Sequence, residues 1–236
     1  MNYRHAFHAG NFADVVKHIT LTRILAYLMA KDAAFRVIDT HAGVGLYDLF
    51  GNEAERTGEW REGIDRLYNR DLDPKLAALL APYLEAVSAQ NPDGDLRYYP
   101  GSPFITRHML RAQDRLMALE KHPVDVEALK DNFAGDIQTR VTHLDGWAAM
   151  GTHLPPKERR GLVLVDPPFE EKGEFARMTQ SLVKAYKRWP TGIFAYWYPI
   201  KELREVDAYI KALKASGIPK ILRLELTVDT PTNPPR

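Results

Sequence analysis

The run Leu162-Val-Leu-Val-Asp-Pro-Pro-Phe-Glu170 holds four consecutive apolar residues, two of them β-branched, then an acid, two prolines and an aromatic ring. Four such apolar residues suit a strand buried on both faces of a parallel sheet. The prolines end it, because they donate no ladder hydrogen bond and fix φ. An acid, a rigid turn and an aromatic side chain therefore stand at a strand's carboxyl end, the edge of an open α/β sheet where ligands bind.

The elements on either side follow the same rhythm. Strands are expected at 35–39, 115–120, 139–144, 162–165, 192–197 and 220–228, and helices at 11–30, 103–111, 123–132, 147–153, 174–188 and 202–216. Strands alternating with helices predict a doubly wound, mostly parallel α/β sheet. Asn11 with Asp14 three residues on marks a helix start. Between 46 and 96 the pattern changes to helical stretches (59–68, 74–89) with polar breaks, which predicts a small helical insertion after the first strand. The domain division expected is 1–45 with 97–236, and 46–96 as the insertion.

Composition narrows the class. The 236 residues are 45% hydrophobic and 27% charged, which is globular. Without cysteine there is neither a disulfide frame nor a thiolate metal site. No apolar run approaches a membrane span and no signal-peptide core stands at the start, so the expectation is a cytoplasmic protein without membrane contact. Net charge is only +1. Three local basic runs, 107–115, 157–160 and 184–188, are each readable as a solvated face, or together as a phosphate-binding surface flanking the site.

Asp166-Pro-Pro-Phe169 resembles the signature of amino-methyltransferases that use S-adenosyl-L-methionine and act on adenine N6, cytosine N4 or a glutamine amide. An exocyclic amine is a poor nucleophile because its lone pair is delocalised. A carboxylate at Asp166 and the carbonyl of Pro167 would accept its N–H bonds and localise that pair, while Phe169 would stack on the base. The rigid turn would hold these groups beforehand. Three further strand ends carry suitable residues. Asp39-Thr-His-Ala-Gly-Val-Gly45 lets backbone approach a ligand; Glu120 is placed to accept ribose hydroxyls; Asp145-Gly146 is placed at the adenine edge. No G-x-G-x-x-G opens the first helix, which speaks against a nicotinamide enzyme.

His5, His8 and His18 lack thiolate partners and any H-E-x-x-H, so no metal is expected. Hydrogen bonding at cofactor and substrate suits them better. Lys17 reads as a partner for a carboxylate or phosphate, or as an ordinary solvated lysine. Tyr3 and Phe7 read as stacking on RNA or packing under the N-terminal arm.

Several blocks in order are similar to the bacterial 23S rRNA adenine-N6 methyltransferase family. They are Tyr3-Arg-His-Ala-Phe-His-Ala-Gly-Asn-Phe-Ala-Asp-Val-Val-Lys-His18, Asp39-Thr-His-Ala-Gly43, Ala54-Glu-Arg-Thr-Gly-Glu-Trp60, Arg97-Tyr-Tyr-Pro-Gly-Ser-Pro103 and Asp166-Pro-Pro-Phe169. The resemblance implies a Rossmann-like methyltransferase fold and methylation of one adenine N6 in 23S rRNA; the substrate is expected to be that rRNA, free or in an assembly intermediate, and the protein a monomer. It implies cofactor contacts at His18, His41, Ser102, Glu120, Asp145, Gly146 and Asp166. It also implies Asp166 as proton acceptor and Tyr3 at the RNA. Phe169 stands where the wider class often has Tyr, which keeps stacking but drops a phenolic hydrogen bond. The sheet of this class ends in a hairpin whose last strand inserts between the fifth and sixth, so a sixth strand lacking its partner is expected. The same chemistry on DNA adenine or a protein glutamine stays open at this point, as does a non-catalytic RNA-binding module.

Overall fold

The computed structural model describes residues 4–228. Five strands form one parallel sheet: β1 (Arg36–Asp39), β4 (Arg115–Glu120), β5 (Thr139–His143), β6 (Gly161–Val165) and β7 (Ile193–Tyr196). Their order is β5-β4-β1-β6-β7. The expected doubly wound sheet is thus present. β1 pairs with both β4 and β6, Asp39 lying opposite Ala118 on one side and Leu164 on the other. The strand order reverses at β1, and a crevice opens there beyond the carboxyl ends.

The period of two along these strands divides the core. Val37, Leu116, Ala118, Leu162 and Leu164 face one layer, which includes Leu21 and Leu25 of α1 (Phe12–Met29) and Ile105 of α4 (Ser102–Met109). Ile38, Met117, Leu119, Val163 and Val165 face the other, against Ala149 and Met150 of α6 (Gly146–Thr152) and Ala185 of α7 (Glu174–Arg188). Alternate residues serve alternate layers, which is why the strands read as unbroken apolar runs. Each fully buried Leu or Ile side chain contributes roughly 1.5–3 kcal/mol to this packing. α5 (Pro123–Asn132) joins β4 to β5, and α8 (Leu203–Ala215) packs on α7.

The chain leaves and re-enters the sheet domain through a short antiparallel ribbon. β2 (Leu46–Asp48) pairs with β3 (Tyr98–Pro100), Tyr47 opposite Tyr99. Between them lie α2 (Asn52–Thr57), α3 (Pro74–Ser88) and two 3-10 turns, Glu59–Glu62 and Ile64–Arg66. The continuous helix expected at 59–68 is therefore broken. Gly63 lies so close to the N-terminal segment that a Cβ there would overlap Gly10 O and sit 2.7 Å from Asn11 Cα. Trp60, Ile64 and Tyr83 from this region share one core with Leu21 and Leu25 of α1.

Two other expectations are corrected. Residues 220–228 form no strand: the segment has no regular secondary structure and no ladder partner among the described strands, with Leu222 91% and Leu224 63% exposed. Apolar alternation creates a face for a strand, but only a neighbouring ladder makes one, and no described strand lies beside it. The three basic runs do not surround the site. Arg111 and Arg160 lie just before β4 and β6, at the amino edge of the sheet. Arg111 donates to Met29 O, Lys31 O and Ala33 O, and Arg160 to Leu28 O and Ala33 O. Both guanidiniums lie near the Phe35 ring. They satisfy carbonyls left open at and beyond the end of α1 rather than phosphates. Arg107 pairs with Asp136 at 2.6 Å, and Arg188 donates to Leu154 O.

Candidate active site

A cavity of about 680 Å³ lies at the carboxyl edge of the sheet where the strand order reverses. That is within the range of about 300–1,000 Å³ typical of small-molecule sites. Its floor comes from four successive loops. After β1 the chain turns through Thr40-His-Ala-Gly43. Gly43 has φ +61, a left-handed conformation that glycine adopts at no steric cost, and its N–H donates to Glu120 Oε2 at 2.9 Å. Glu120, last residue of β4, also accepts from His122 N at 2.7 Å. Each carboxylate oxygen has accepted one backbone N–H and keeps a further lone pair for a ligand hydroxyl.

After β5, Asp145 caps α6 by accepting from Trp147 N at 2.9 Å and pairs with Lys121 Nζ at 3.0 Å. Burial pushes the Asp145 carboxyl up, but the Lys121 ammonium and the Trp147 N–H outweigh it and hold it below its ordinary value. The Trp147 indole stands edge-on to His41, with ring centroids 5.5 Å apart, and Arg177 lies on the indole at 5.7 Å. Burial lowers His41 to a pKa of about 4, so its ring is neutral near pH 7. Thr40 Oγ1 and His41 Nδ1 lie 2.8 Å apart and share a hydrogen bond.

Asp166 follows β6, its side chain 19% exposed, on the same cavity as Pro167. Lys17 Nζ donates to its Oδ2 at 2.5 Å and to Asp14 Oδ1 at 2.8 Å. Lys17 is therefore no solvated lysine: its side chain is 8% exposed and meets two carboxylates. Burial alone would lower its pKa, but Asp14 and Asp166 outweigh that and hold the ammonium well above its ordinary value. The loop beyond is strained at Phe169, φ +53, a region rare for residues with a Cβ. Glu174, buried at the start of α7, accepts from Phe169 N at 3.0 Å and holds the turn. The Phe169 ring does not face the same cavity as Asp166. It packs on Phe175, centroids 5.2 Å apart, and lines a second cavity of about 670 Å³ that adjoins the first through Glu170, Glu171 and Glu174.

His18, Ser102 and His5 also line the first cavity; among the described residues singled out from the sequence, Phe7, His8, Asp39 and Phe169 are not on its wall. Tyr3 lies outside the described residues. Reading the motifs missed Asp14, Lys121, Trp147, Arg177 and Glu174. Trp147 was signalled by its place directly after Asp145-Gly146; Lys121 and Arg177 meet partners, Asp145 and Trp147, more than twenty residues away. The Ala54–Trp60 block also acquires a role. Thr57 Oγ1 donates to Phe7 O, the Glu59 carboxylate meets His8 Nδ1 at 3.0 Å and Asn11 Nδ2 at 2.9 Å, and Arg4 pairs with Glu53 at 3.1 Å. The insertion thus seats the N-terminal arm against α1.

The donor set suits S-adenosyl-L-methionine. Glu120 offers acceptors for a ribose, and Trp147 and Asp145 offer a flat wall and an acceptor for an adenine. Of the four buried side-chain polar atoms without a partner among the described residues, His18 Nε2 belongs to a residue that lines this cavity. His18 Nδ1 is already engaged with the Tyr99 hydroxyl at 2.8 Å, and burial lowers its pKa to about 3. Unpaired polar atoms beside a cavity mark where a ligand's polar groups belong. Glu120→Gln is expected to weaken S-adenosyl-L-methionine binding about tenfold in calorimetry, since it turns one ribose acceptor into a donor and disturbs a charged hydrogen bond. Unchanged affinity would remove Glu120 from the ribose site.

Comparison with known proteins agrees with this geometry. The ribosomal RNA large subunit methyltransferase J of Escherichia coli (strain K12) is 46% identical over 228 residues, 97% of this chain and 80% of the relative. Its namesake from Haemophilus influenzae is 44% identical over 229 residues, with the same shares. A crystal structure of a Legionella pneumophila protein superposes with a TM-score of 0.81 at 36% identity, covering 89% of this chain and 76% of that one. A family model described as ribosomal RNA large subunit methyltransferase D, RlmJ, matches residues 32–236. A parallel sheet with its reversal at β1, a cavity floored by four successive strand ends, and identity of this extent along the chain lead to one conclusion: the chain belongs to the RlmJ family of ribosomal RNA large subunit methyltransferases.

Proposed function

We propose that this protein transfers a methyl group from S-adenosyl-L-methionine to N6 of one adenine in 23S rRNA. The observation that carries the proposal is Asp166 on the wall of the cavity that Glu120 and Asp145 also line, held by a buried lysine. His18, His41, Ser102, Glu120, Asp145 and Gly146 would hold the cofactor, which when bound would supply an electrophilic methyl on a sulfonium centre. Asp166 accepts one amine N–H and the Pro167 carbonyl the other, which localises the nitrogen lone pair. The neutral amine is not deprotonated in advance. Its proton becomes acidic only as the new N–C bond forms, and Asp166 then takes it. Glu174 and the two prolines hold the loop, so little reorganisation accompanies the reaction. Tyr3 and His5 are assigned to contact with the RNA, while Lys17, buried between two carboxylates, serves Asp166. The reaction needs no metal and belongs in the cytoplasm, where rRNA is made; a monomer suffices for it.

Unmodified 23S rRNA incubated with the protein and labelled S-adenosyl-L-methionine is expected to yield N6-methyladenosine at a single position by nucleoside mass spectrometry. Label on another nucleoside, or on DNA or protein glutamine in place of RNA, would overturn the substrate. Label only on an assembling particle would narrow it.

Phe169 is assigned to stack on the captured adenine from the side of the second cavity. Phe169→Ala is expected to raise KM for RNA by an amount corresponding to about 1–3 kcal/mol of stacking, with Phe169→Tyr tolerated. Steady-state constants untouched by the alanine would end that role.

A further inference from the structure

Asp14 has a backbone role and a separate side-chain role. Its N–H donates to Asn11 Oδ1 at 3.0 Å and completes the start of α1. Its carboxylate is not needed for that cap, yet it is 1% exposed and ligated from three parts of the chain. Oδ2 accepts from His5 Nε2 at 2.8 Å and from Gly10 N at 3.0 Å, and Oδ1 from Lys17 Nζ at 2.8 Å. A buried carboxylate is costly unless donors surround it. Burial pushes the Asp14 carboxyl up, but His5 and Lys17 outweigh it and hold it well below its ordinary value.

Lys17 therefore stands between two carboxylates. If Asp166 were its sole anionic partner, the ammonium would neutralise the group that must accept the amine proton. Sharing the lysine leaves the trio of Asp14, Lys17 and Asp166 with one net negative charge, so Asp166 stays an acceptor. The same carboxylate orients His5, which carries the N-terminal arm to the cavity wall. We infer that Asp14 is a positioning residue for methyl transfer: it holds Lys17 against Asp166 and His5 on the wall of the same cavity, and balances the lysine charge. The inference rests on the reading of Asp166 as proton acceptor.

The test compares the whole protein with Asp14→Asn, Lys17→Met, the double variant and Asp166→Ala. It measures kcat on 23S rRNA and cofactor affinity by calorimetry. Asp14→Asn is expected to lower kcat about 100-fold, the scale of a misplaced catalytic group. Its cofactor affinity should stay within about twofold of the parent. The double variant should be no slower than Lys17→Met by more than about twofold, because residues acting through one another are not additive. A kcat close to the parent's would overturn the inference. So would losses that multiply in the double variant, or cofactor affinity lost in Asp14→Asn together with kcat, since Asp14 would then be general scaffold. Turnover surviving in Asp166→Ala would remove the underlying reading. Asp166→Ala inactive beside a fully active Asp14→Asn would remove only this inference.

Discussion

Asp166→Ala is expected to lose methyl transfer by a factor of about 10³ or more, while its thermal unfolding stays close to the parent's. The activity loss combines two effects. The amine loses the acceptor that localises its lone pair, and the methylated nitrogen loses the group that removes its proton, a contribution typically worth about 10²–10⁴. The small effect on folding follows from the surroundings. Asp166 sits at a cavity wall rather than in the core, and Lys17 keeps Asp14 as its partner at 2.8 Å when Asp166 is gone. The buried ammonium is thus never left unpaired, the case that costs about 3–5 kcal/mol. Asp166→Asn separates the two effects, because its amide oxygen still accepts an N–H but cannot take up the proton. It should retain more activity than the alanine and less than the parent. Labelled-methyl transfer beside a melting curve measures both. An active alanine variant would remove Asp166 from the chemistry, and an inactive one that also failed to fold would recast it as a structural residue.

Gly146→Ala is expected to damage the cofactor site from beneath. In an open helix the change would help by about 1 kcal/mol, since alanine is the better helix former. Here the sign reverses. An added Cβ would overlap the Thr40 carbonyl oxygen and lie 2.7 Å from the Thr40 Cβ. Thr40 cannot yield easily, because its N–H and hydroxyl both donate to Leu164 O, at 3.0 and 2.8 Å. The start of α6 must therefore move off the end of β1, carrying Asp145 and Trp147 away from His41. Overpacking of this kind costs about 1–3 kcal/mol. The melting temperature should fall, and affinity for S-adenosyl-L-methionine by about tenfold or more, both readable by calorimetry. Parental stability and affinity would show that the loop accommodates a methyl group and that the close approach is dispensable.

Local signals made the α/β framework legible. Glu174–Arg188 was bounded correctly because its apolar period is strong, and Asn11 caps α1 as its sequence announces. The apolar runs ending in Glu120 and Asp166 read as strands because residues buried on both faces leave no polar alternation. The acids at the ends of β4, β5 and β6, and the glycine turn after β1, were legible as one site for a topological reason. In a parallel sheet with helical crossovers all strand ends of one sense fall on one edge.

Contacts between residues distant in sequence were not legible. Lys17 and Asp166 are 149 residues apart, and no local pattern says that a buried lysine will meet that carboxylate, still less share it with Asp14. The basic runs looked like a phosphate surface because charge is visible in sequence and its partner is not; packing turned Arg111 and Arg160 onto backbone carbonyls at the opposite edge. Residues 220–228 had the alternation of a strand, but a ladder needs a neighbour, which a segment's own composition cannot supply. Phe169 was placed in the motif by its spacing and turned toward Phe175 by a left-handed backbone that Glu174 holds. Periodicity, caps and turn residues act over a few positions and are written in the chain. Ion pairing, burial of charge and the facing of a side chain depend on which distant elements the fold brings together.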